Sequence, residues 1–192
     1  FESCPNLRIH YAYSSAPIGP HTDGDYGHSP YEINFWVPLT LATGTASLWA
    51  ESSPGQGDFH PFEAQYGNAV RFYGSRCLHF TRDNKTNCTR VSFDFRIVKF
   101  TDLFASGIPL HADNTTRFSL FAYYDVMGPD GIISEDNWAS LAQGCIAPIC
   151  PYPRISEVQE RLDDAAKRSL PARTRSPSCE HRQRCIDKWG SE

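Results

Sequence analysis

The chain has 192 residues, of which 40% are hydrophobic and 13% aromatic, so it can form one domain with a substantial core. Its formal net charge of −4 provides no basic surface of the kind that binds nucleic acid. No apolar run approaches the ~18–20 residues that a membrane-spanning helix needs, and residue 1 does not open a signal peptide. We therefore expect a globular protein that binds neither nucleic acid nor membranes.

Short apolar or alternating segments before residue 100 have the character of β-strands. They are 7–14, 31–39, 46–51, 59–64, 69–73, 77–81 and 90–100. Stretches rich in Gly, Pro, Ser and Asp separate them, and residues 23–30 are predicted to form a loop. A set of about eight short strands with few helical patterns is typical of a double-sheet jelly roll, so the predicted fold class is mainly β.

The second half of the chain has a different pattern, which predicts a core domain over 1–100 and a C-terminal extension over 101–192 packing on it. Residues 117–127 are apolar and aromatic and suit either a strand or a core-facing segment. Apolar positions at helical spacing predict a helix over 155–169. The composition around 170–180 predicts a flexible tail.

Cysteines and glycosylation sequons bear on the compartment. The seven cysteines are an odd number, which does not suit a complete disulfide framework. The loose spacings of Cys145 with Cys150 and of Cys179 with Cys185 favour a disulfide or free thiols over zinc. Mostly free thiols suit a reducing cytosol, so the expected location is cytoplasmic. Sequons at Asn84, Asn87 and Asn114 leave a secretory route open, although a polar hairpin loop is the favoured explanation for the first two.

A candidate metal site begins at His21-Thr22-Asp23. In a β-strand, residues two apart share a face, so one imidazole and one carboxylate would converge locally. If His79 joins them from far along the chain, the three form a two-His-one-carboxylate triad. That triad binds Fe(II) and keeps coordination positions open. His28 is a local rival for the third position, but it lies in the predicted loop beyond a glycine.

Residues 90–96 alternate as in a strand, so Arg90 and Ser92 share a face. A guanidinium fork beside a hydroxyl suits a carboxylate ligand. Arg96 lies on the same face and competes with Arg90 for this role. On the strand over 31–39, Asn34 and Trp36 share the face predicted to point inward. Asn34 could bind a co-substrate or orient a metal ligand, and the sequence leaves both roles open.

The order of these residues resembles the Fe(II)/2-oxoglutarate-dependent dioxygenases: His21-x-Asp23, a distal His79, then Arg90-x-Ser92 about ten residues on. The runs 21–28 and 32–40 are similar to the branch containing streptomycin-biosynthesis-type and phytanoyl-CoA-hydroxylase-like enzymes. The resemblance covers roughly residues 6–100, and its pattern requires the distal histidine, which favours His79 over His28.

This resemblance implies a double-stranded β-helix (jelly-roll, cupin-like) core and a set of site roles. His21, Asp23 and His79 would bind and act through Fe(II), while Arg90, Ser92 and Asn34 would bind 2-oxoglutarate. With O₂, such an enzyme hydroxylates a C–H bond and releases succinate and CO₂. An acid at position 23 indicates hydroxylation or a related oxidation, because halogenating relatives have a small residue there.

Two other functions fit the same sequence. One is a metal-dependent cupin-like enzyme that does not use 2-oxoglutarate, and the other is a catalytically inactive jelly roll that acts as a binding module. The resemblance favours a small-molecule substrate. The sequence specifies neither the identity of that substrate nor the oligomeric state.

Overall fold

The structure is a computed structural model that describes residues 1–99, 102, 118–128 and 130–137. The chain divides into two compact units: 5–97 belongs to the first, and 1–4 belongs to the second with the described residues after 97. Several predictions lie outside the described residues: the helix over 155–169, the tail around 170–180, the sequon at Asn114 and Cys145, Cys150, Cys179 and Cys185.

Seven short strands form the first unit, and all of their pairings are antiparallel. They are β1 (Asn6–His10), β2 (Ile33–Pro38), β3 (Leu48–Ala50), β4 (His60–Pro61), β5 (Val70–Phe72), β6 (His79–Thr81) and β7 (Arg90–Ile97). One sheet has the order β1-β7-β2-β5 and the other the order β4-β3-β6. The predicted mainly β class is confirmed for the part of the chain that the structure describes, and each strand lies within or beside a predicted segment.

Two short 3-10 helices, Asp23–Tyr26 and Gly44–Ala46, interrupt the strands. The prediction of a plain loop over 23–30 is therefore wrong at its start. The Thr22 hydroxyl accepts from the Asp25 backbone amide while the Asp25 side chain accepts from the Thr22 amide, which forms a capping box. This box fixes the backbone that carries Asp23.

The hydrophobic core lies between the two sheets. Trp36 on β2 packs with Leu48 and Ala50 on β3, with Phe62 and Ala64 beyond β4, and against side chains of β5. A smaller cluster joins Phe59, Leu78 and Phe80, with Trp49 against it. Burial of these aromatic and aliphatic side chains is the main stabilising contribution of the unit.

β7 has an unusual inward face. Its buried positions are occupied by Arg90, Ser92, Asp94 and Arg96, while its apolar residues are only partly buried on the opposite face. Burying a charge is costly unless a partner compensates it. The alternation that normally directs apolar residues inward is thus inverted on this strand.

The turn before β7 contains the first two sequons. The Asn84 side chain is buried, and its amide donates to the carbonyls of Tyr11 and Cys88. Its own oxygen accepts from the amide and hydroxyl of Thr86. These contacts match the polar-hairpin explanation for Asn84, whereas Asn87 is exposed.

The second unit joins the first residues of the chain to a segment near 118–133. Glu2 bridges Tyr124, and the amino group of Phe1 donates to the Asp125 carbonyl at 2.8 Å. Two strands, β8 (Val126–Gly128) and β9 (Gly131–Ile133), form a hairpin. Of the predicted segment 117–127, residues 118–127 are described; only their end is a strand, and Leu120 and Tyr124 are buried.

Among the described residues, the helices are too short and too polar to cross a bilayer.

Candidate metal centre

His21, Asp23 and His79 lie side by side in the first unit. One ligand atom from each lies within 4.8 Å of the other two. Oδ1 of Asp23 is 3.6 Å from Nε2 of His79 and 3.8 Å from Nε2 of His21. The side chains of Asp23 and His79 are buried and that of His21 is partly exposed. The structure therefore brings together the three residues that the sequence proposed as ligands.

Backbone pairing between distant segments creates this cluster. His21 and His79 form an antiparallel bridge in which each amide donates to the other's carbonyl, at 3.2 and 2.9 Å. Thr22 is extended (φ −109°, ψ 150°), but no strand continues, because Asp23 starts the 3-10 helix and its amide donates to Gly74. The expected strand around His21 and Asp23 is thus reduced to one bridge and one extended residue.

The backbone next to Asp23 packs tightly against Ser75 at Gly24. A Cβ at Gly24 would lie 2.5 Å from the carbonyl oxygen of Ser75, which backbone cannot accommodate without moving. The loop that carries Asp23 can therefore approach the loop before His79 only because position 24 has no side chain.

Both imidazoles are oriented by the backbone. Nδ1 of His21 is 2.8 Å from the Gly19 carbonyl, and Nδ1 of His79 is 3.0 Å from the Cys77 carbonyl. A carbonyl only accepts, so each Nδ1 carries the proton and donates it. The other ring nitrogen, Nε2, faces Asp23 in both residues and is the one that can bind a metal. A hydrogen bond from Nδ1 to a backbone carbonyl is typical of histidines that bind metal through Nε2, because it fixes both the ring orientation and the tautomer.

The Asp23 carboxylate is asymmetric. Its Oδ2 accepts from Asn34 Nδ2 at 2.7 Å and from Arg96 Nε at 3.0 Å, and Arg96 Nη2 lies 2.9 Å away. Its Oδ1 faces the two histidines. Burial alone would raise the pKa of Asp23, but His79, Arg96 and the Asn34 amide outweigh it and hold that pKa well below its ordinary value. The carboxylate is therefore ionised at neutral pH.

His79 has the protonation state that a ligand needs. Burial lowers the pKa of its imidazole to about 4, and the partly opposing effect of Asp23 does not restore it. The cluster thus offers a neutral imidazole at His79, a second imidazole at His21 and the ionised carboxylate of Asp23. This donor set fits a first-row divalent ion, and the two-His-one-carboxylate combination is diagnostic of non-haem Fe(II) sites with open positions.

Arg90 lies in a different environment. It is 1% exposed, its Nε donates to the Ala46 carbonyl at 2.9 Å, and its Nη1 donates to Ser92 Oγ at 2.5 Å. No carboxylate among the described residues forms an ion pair with it. Burial lowers the pKa of this guanidinium to about 10, so it remains charged at neutral pH.

Two further buried groups near Arg90 have unsatisfied nitrogens. His10 lies directly opposite Arg90 across β1 and β7, and neither of its ring nitrogens has a hydrogen bond of good geometry to a described residue. The Arg90 guanidinium lies over the Trp36 ring, 5.7 Å from its centre, and the Trp36 indole nitrogen is also unpaired. Sequence reasoning did not identify His10, although the alternation of β1 is a signal that could have placed it on the buried face.

The remaining candidates, His28, Arg96 and Asn34, contact Glu32 or Asp23. His28 Nδ1 is 2.9 Å from Glu32 Oε2, so its ring is committed to Glu32. Arg96 Nε lies 3.7 Å from the same Glu32 oxygen, and Arg96 Nη1 lies 3.8 Å from Asp94. Arg96 is therefore surrounded by acids. Asn34 contacts Asp23, which matches the ligand-orienting role of the two that the sequence left open.

A curated relative was found in Streptomyces griseus, the streptomycin biosynthesis protein StrG. The two sequences are 41% identical over 92 residues, which cover 48% of this chain and 43% of that protein. The chain thus matches less than half of the length of this relative. No family model matches the chain.

Similar solved structures are non-haem enzymes. They include a nickel complex of the non-haem monooxygenase ThoJ, with a TM-score of 0.42 and 22% identity over 50% of this chain and 42% of that chain. The apo form of ThoJ gives 0.45 and 18% over 85% and 67%. The α-ketoglutarate-dependent epimerase SnoN from nogalamycin biosynthesis gives 0.37 and 16% over 65% and 59%. At TM-scores below 0.5, these matches assign neither fold nor function to the chain.

Proposed function

We propose that the chain is an Fe(II)- and 2-oxoglutarate-dependent oxygenase that hydroxylates a small molecule. His21, Asp23 and His79 hold the ferrous ion. Arg90 and Ser92 bind the distal carboxylate of 2-oxoglutarate. When bound, iron and 2-oxoglutarate supply the O₂ chemistry that oxidises a substrate C–H bond, with release of succinate and CO₂.

The observation that carries the proposal is the orientation of the three ligands. Both Nε2 atoms and Oδ1 of Asp23 converge, and the opposite atom of each group is hydrogen-bonded elsewhere. Random polar neighbours would not leave one lone pair from each residue facing the same point. Prior orientation by these outer contacts raises metal affinity, because little ordering remains for the ion to impose.

The Arg90 pocket supports the use of an acidic co-substrate. Arg90 is buried and charged and has no ion pair with a carboxylate in the part of the chain that the structure describes, which is costly, and a ligand carboxylate would compensate it through two parallel hydrogen bonds. Arg96 is a weaker candidate because three acids already surround it. This distinction favours 2-oxoglutarate over a metal-dependent reaction without a co-substrate.

The residues of the chain then have separate tasks. The triad binds the ion at adjacent positions, Arg90 and Ser92 fix the far end of the co-substrate, and buried walls such as Trp36 exclude water from the guanidinium. We further propose a double-stranded β-helix topology for the core, with residues after 100 as an extension. We also propose a cytoplasmic setting, which the free thiols of Cys4, Cys77 and Cys88 suit.

Two variants test the proposal by separating metal binding from co-substrate binding. In Asp23→Ala, we expect Fe(II) binding to weaken by at least about 100-fold and succinate formation from 2-oxoglutarate to stop. In Arg90→Ala, we expect the concentration of 2-oxoglutarate for half-maximal turnover to rise at least about tenfold while iron affinity changes little. Anaerobic titration with Fe(II) and quantification of succinate provide both readings.

Each alternative predicts a different result. Turnover that is independent of 2-oxoglutarate would indicate a cupin-like metal enzyme. Failure of the wild-type protein to bind Fe(II) would indicate a binding module without catalytic activity. An unchanged 2-oxoglutarate requirement in Arg90→Ala would contradict the anchor role of Arg90.

A further inference from the structure

We propose that Arg96 is a positioning residue that restricts Asp23 to binding the metal through one oxygen. This inference deepens the proposed function, because it concerns how the same centre keeps coordination positions free. It assigns Arg96 a role at the metal ligand, whereas the sequence considered it only as a rival anchor for the co-substrate.

Three nitrogen atoms surround Oδ2 of Asp23. Arg96 approaches this oxygen with both Nε and Nη2, at 3.0 and 2.9 Å, and Asn34 adds a third donor at 2.7 Å. An oxygen that accepts three charge-assisted or short hydrogen bonds has little capacity left for a cation. The neighbouring Oδ1 faces Nε2 of His21 and His79 instead.

Arg96 is itself held in place. The residue is 5% exposed, and Glu32 and Asp94 lie 3.7 and 3.8 Å from its nitrogens. Glu32 is in turn held by the Ser29 amide and by His28, both at 2.9 Å. The guanidinium is therefore fixed on the sides away from Asp23, and so is the direction from which it binds Oδ2.

The way in which Asp23 binds the ion decides how many coordination positions stay open. A carboxylate that binds through both oxygens occupies two positions on an ion, whereas one that binds through a single oxygen occupies one. With two histidines and one carboxylate oxygen, an octahedral ion keeps about three positions for a chelating co-substrate and O₂. Arg96 thus protects the position that a second carboxylate oxygen would occupy.

The test counts water on the bound metal rather than activity. The probe is Mn(II), and the measurement is water-proton relaxation of the Mn(II)-loaded full chain, which reports the number of exchanging inner-sphere waters. We expect about three waters in the wild type and about two in Arg96→Gln, because the freed carboxylate turns both oxygens to the ion. Arg96→Lys keeps the charge but not the fork, and should give an intermediate value.

A matched control is Arg71→Gln. Arg71 is exposed on β5 and pairs in register with Phe35, the neighbour of Asn34 that points to the opposite face of the sheet. Its water count should equal that of the wild type. If Arg96→Gln fails to fold, Asn34→Ala removes another donor from Oδ2 and should reduce the count in the same direction by a smaller amount.

The outcomes separate this inference from the proposed function. A reduced water count in Arg96→Gln, in a protein that forms no succinate from 2-oxoglutarate, would support the positioning role and reject the oxygenase. An unchanged water count in folded Arg96→Gln and Asn34→Ala would reject the positioning role. If the wild-type protein forms succinate from 2-oxoglutarate, the oxygenase assignment would remain. Absence of Mn(II) and Fe(II) binding by the wild type would reject both.

Discussion

Two buried arginines on the same face of β7 have opposite surroundings. Arg96 contacts or approaches the carboxylates of Asp23, Glu32 and Asp94, whereas Arg90 has hydrogen bonds only to a backbone carbonyl and to Ser92. Both are almost fully buried, at 5% and 1% exposure. The desolvation cost is therefore similar at the two ends of the strand, but among the described residues only the Arg96 end has carboxylates in ion-pair contact.

The difference separates support from recognition. An arginine whose charge is already balanced by protein carboxylates holds those carboxylates in place. An arginine whose charge is not balanced within the described residues suits an anionic ligand, since the ligand gains the interaction that the fold omits. One strand thus connects a metal ligand at one end with a co-substrate pocket at the other.

The largest expected effect is on stability. In Arg96→Met, we expect the free energy of unfolding to fall by about 3–5 kcal/mol, because the buried carboxylates of Asp23 and Glu32 lose their guanidinium partner and Asp94 keeps only Arg8. In Arg90→Met, we expect a loss of only about 1 kcal/mol or less, because a few hydrogen bonds are lost and no ion pair is broken. Denaturant unfolding of the metal-free proteins at neutral pH measures both values.

Equal losses in the two methionine variants would remove the distinction between the two ends of β7. The ion pair of Arg8 with Asp94 provides an internal reference on the same sheet, because the Arg8 side chain is 36% exposed. Arg8→Met should therefore cost less than Arg96→Met, about 1 kcal/mol or less.

The same strand shows how far the sequence could go. Alternation placed Arg90, Ser92 and Arg96 on one face, and the spacing of His21 and Asp23 identified two neighbouring candidates. It could not distinguish the two arginines, because that depends on which acids from other segments face each one. Glu32 directly precedes β2 and Asp23 starts the 3-10 helix after the His21 bridge, and their approach to Arg96 follows from strand order in the folded sheet.

The local structure around Asp23 was also beyond sequence periodicity. The pattern indicated a strand followed by a loop, and the structure has a single bridge followed by a 3-10 helix. The bridge depends on pairing with His79, a contact between distant segments that no local pattern encodes. The close approach of Gly24 to Ser75 has the same origin.

An intermediate loss of stability is expected from a substitution at Gly74, which packs tightly against the Asn34 amide beside Asp23. A Cβ at Gly74 would lie 2.6 Å from Asn34 Nδ2 and 2.8 Å from its Cγ. Gly74→Ala should therefore displace the Asn34 amide from Asp23 and cost about 1–3 kcal/mol of stability. In an Asn34→Ala background the same change should cost much less, because the clashing amide is gone.

This double-mutant cycle isolates the contact, since the two residues touch and their effects should not add. Unfolding free energies of the four proteins provide the coupling, and Mn(II) affinity shows whether the displaced amide also affects the metal ligand. Additive losses would mean that Gly74 acts through its backbone and not through Asn34.

The smallest expected effect concerns the Arg90 end. If the unpaired Trp36 indole nitrogen donates to the carboxylate that Arg90 binds, Trp36→Phe should weaken 2-oxoglutarate binding by about three- to tenfold, the value of one hydrogen bond. Trp49→Phe is the matched control, because the Trp49 nitrogen already donates to the Gly44 carbonyl at 3.0 Å. Calorimetric titration of 2-oxoglutarate into the Mn(II)-loaded proteins measures both affinities. An equal loss in the two variants would trace the effect to packing, whereas a loss confined to Trp36→Phe would extend the anion pocket from Arg90 and Ser92 to the indole.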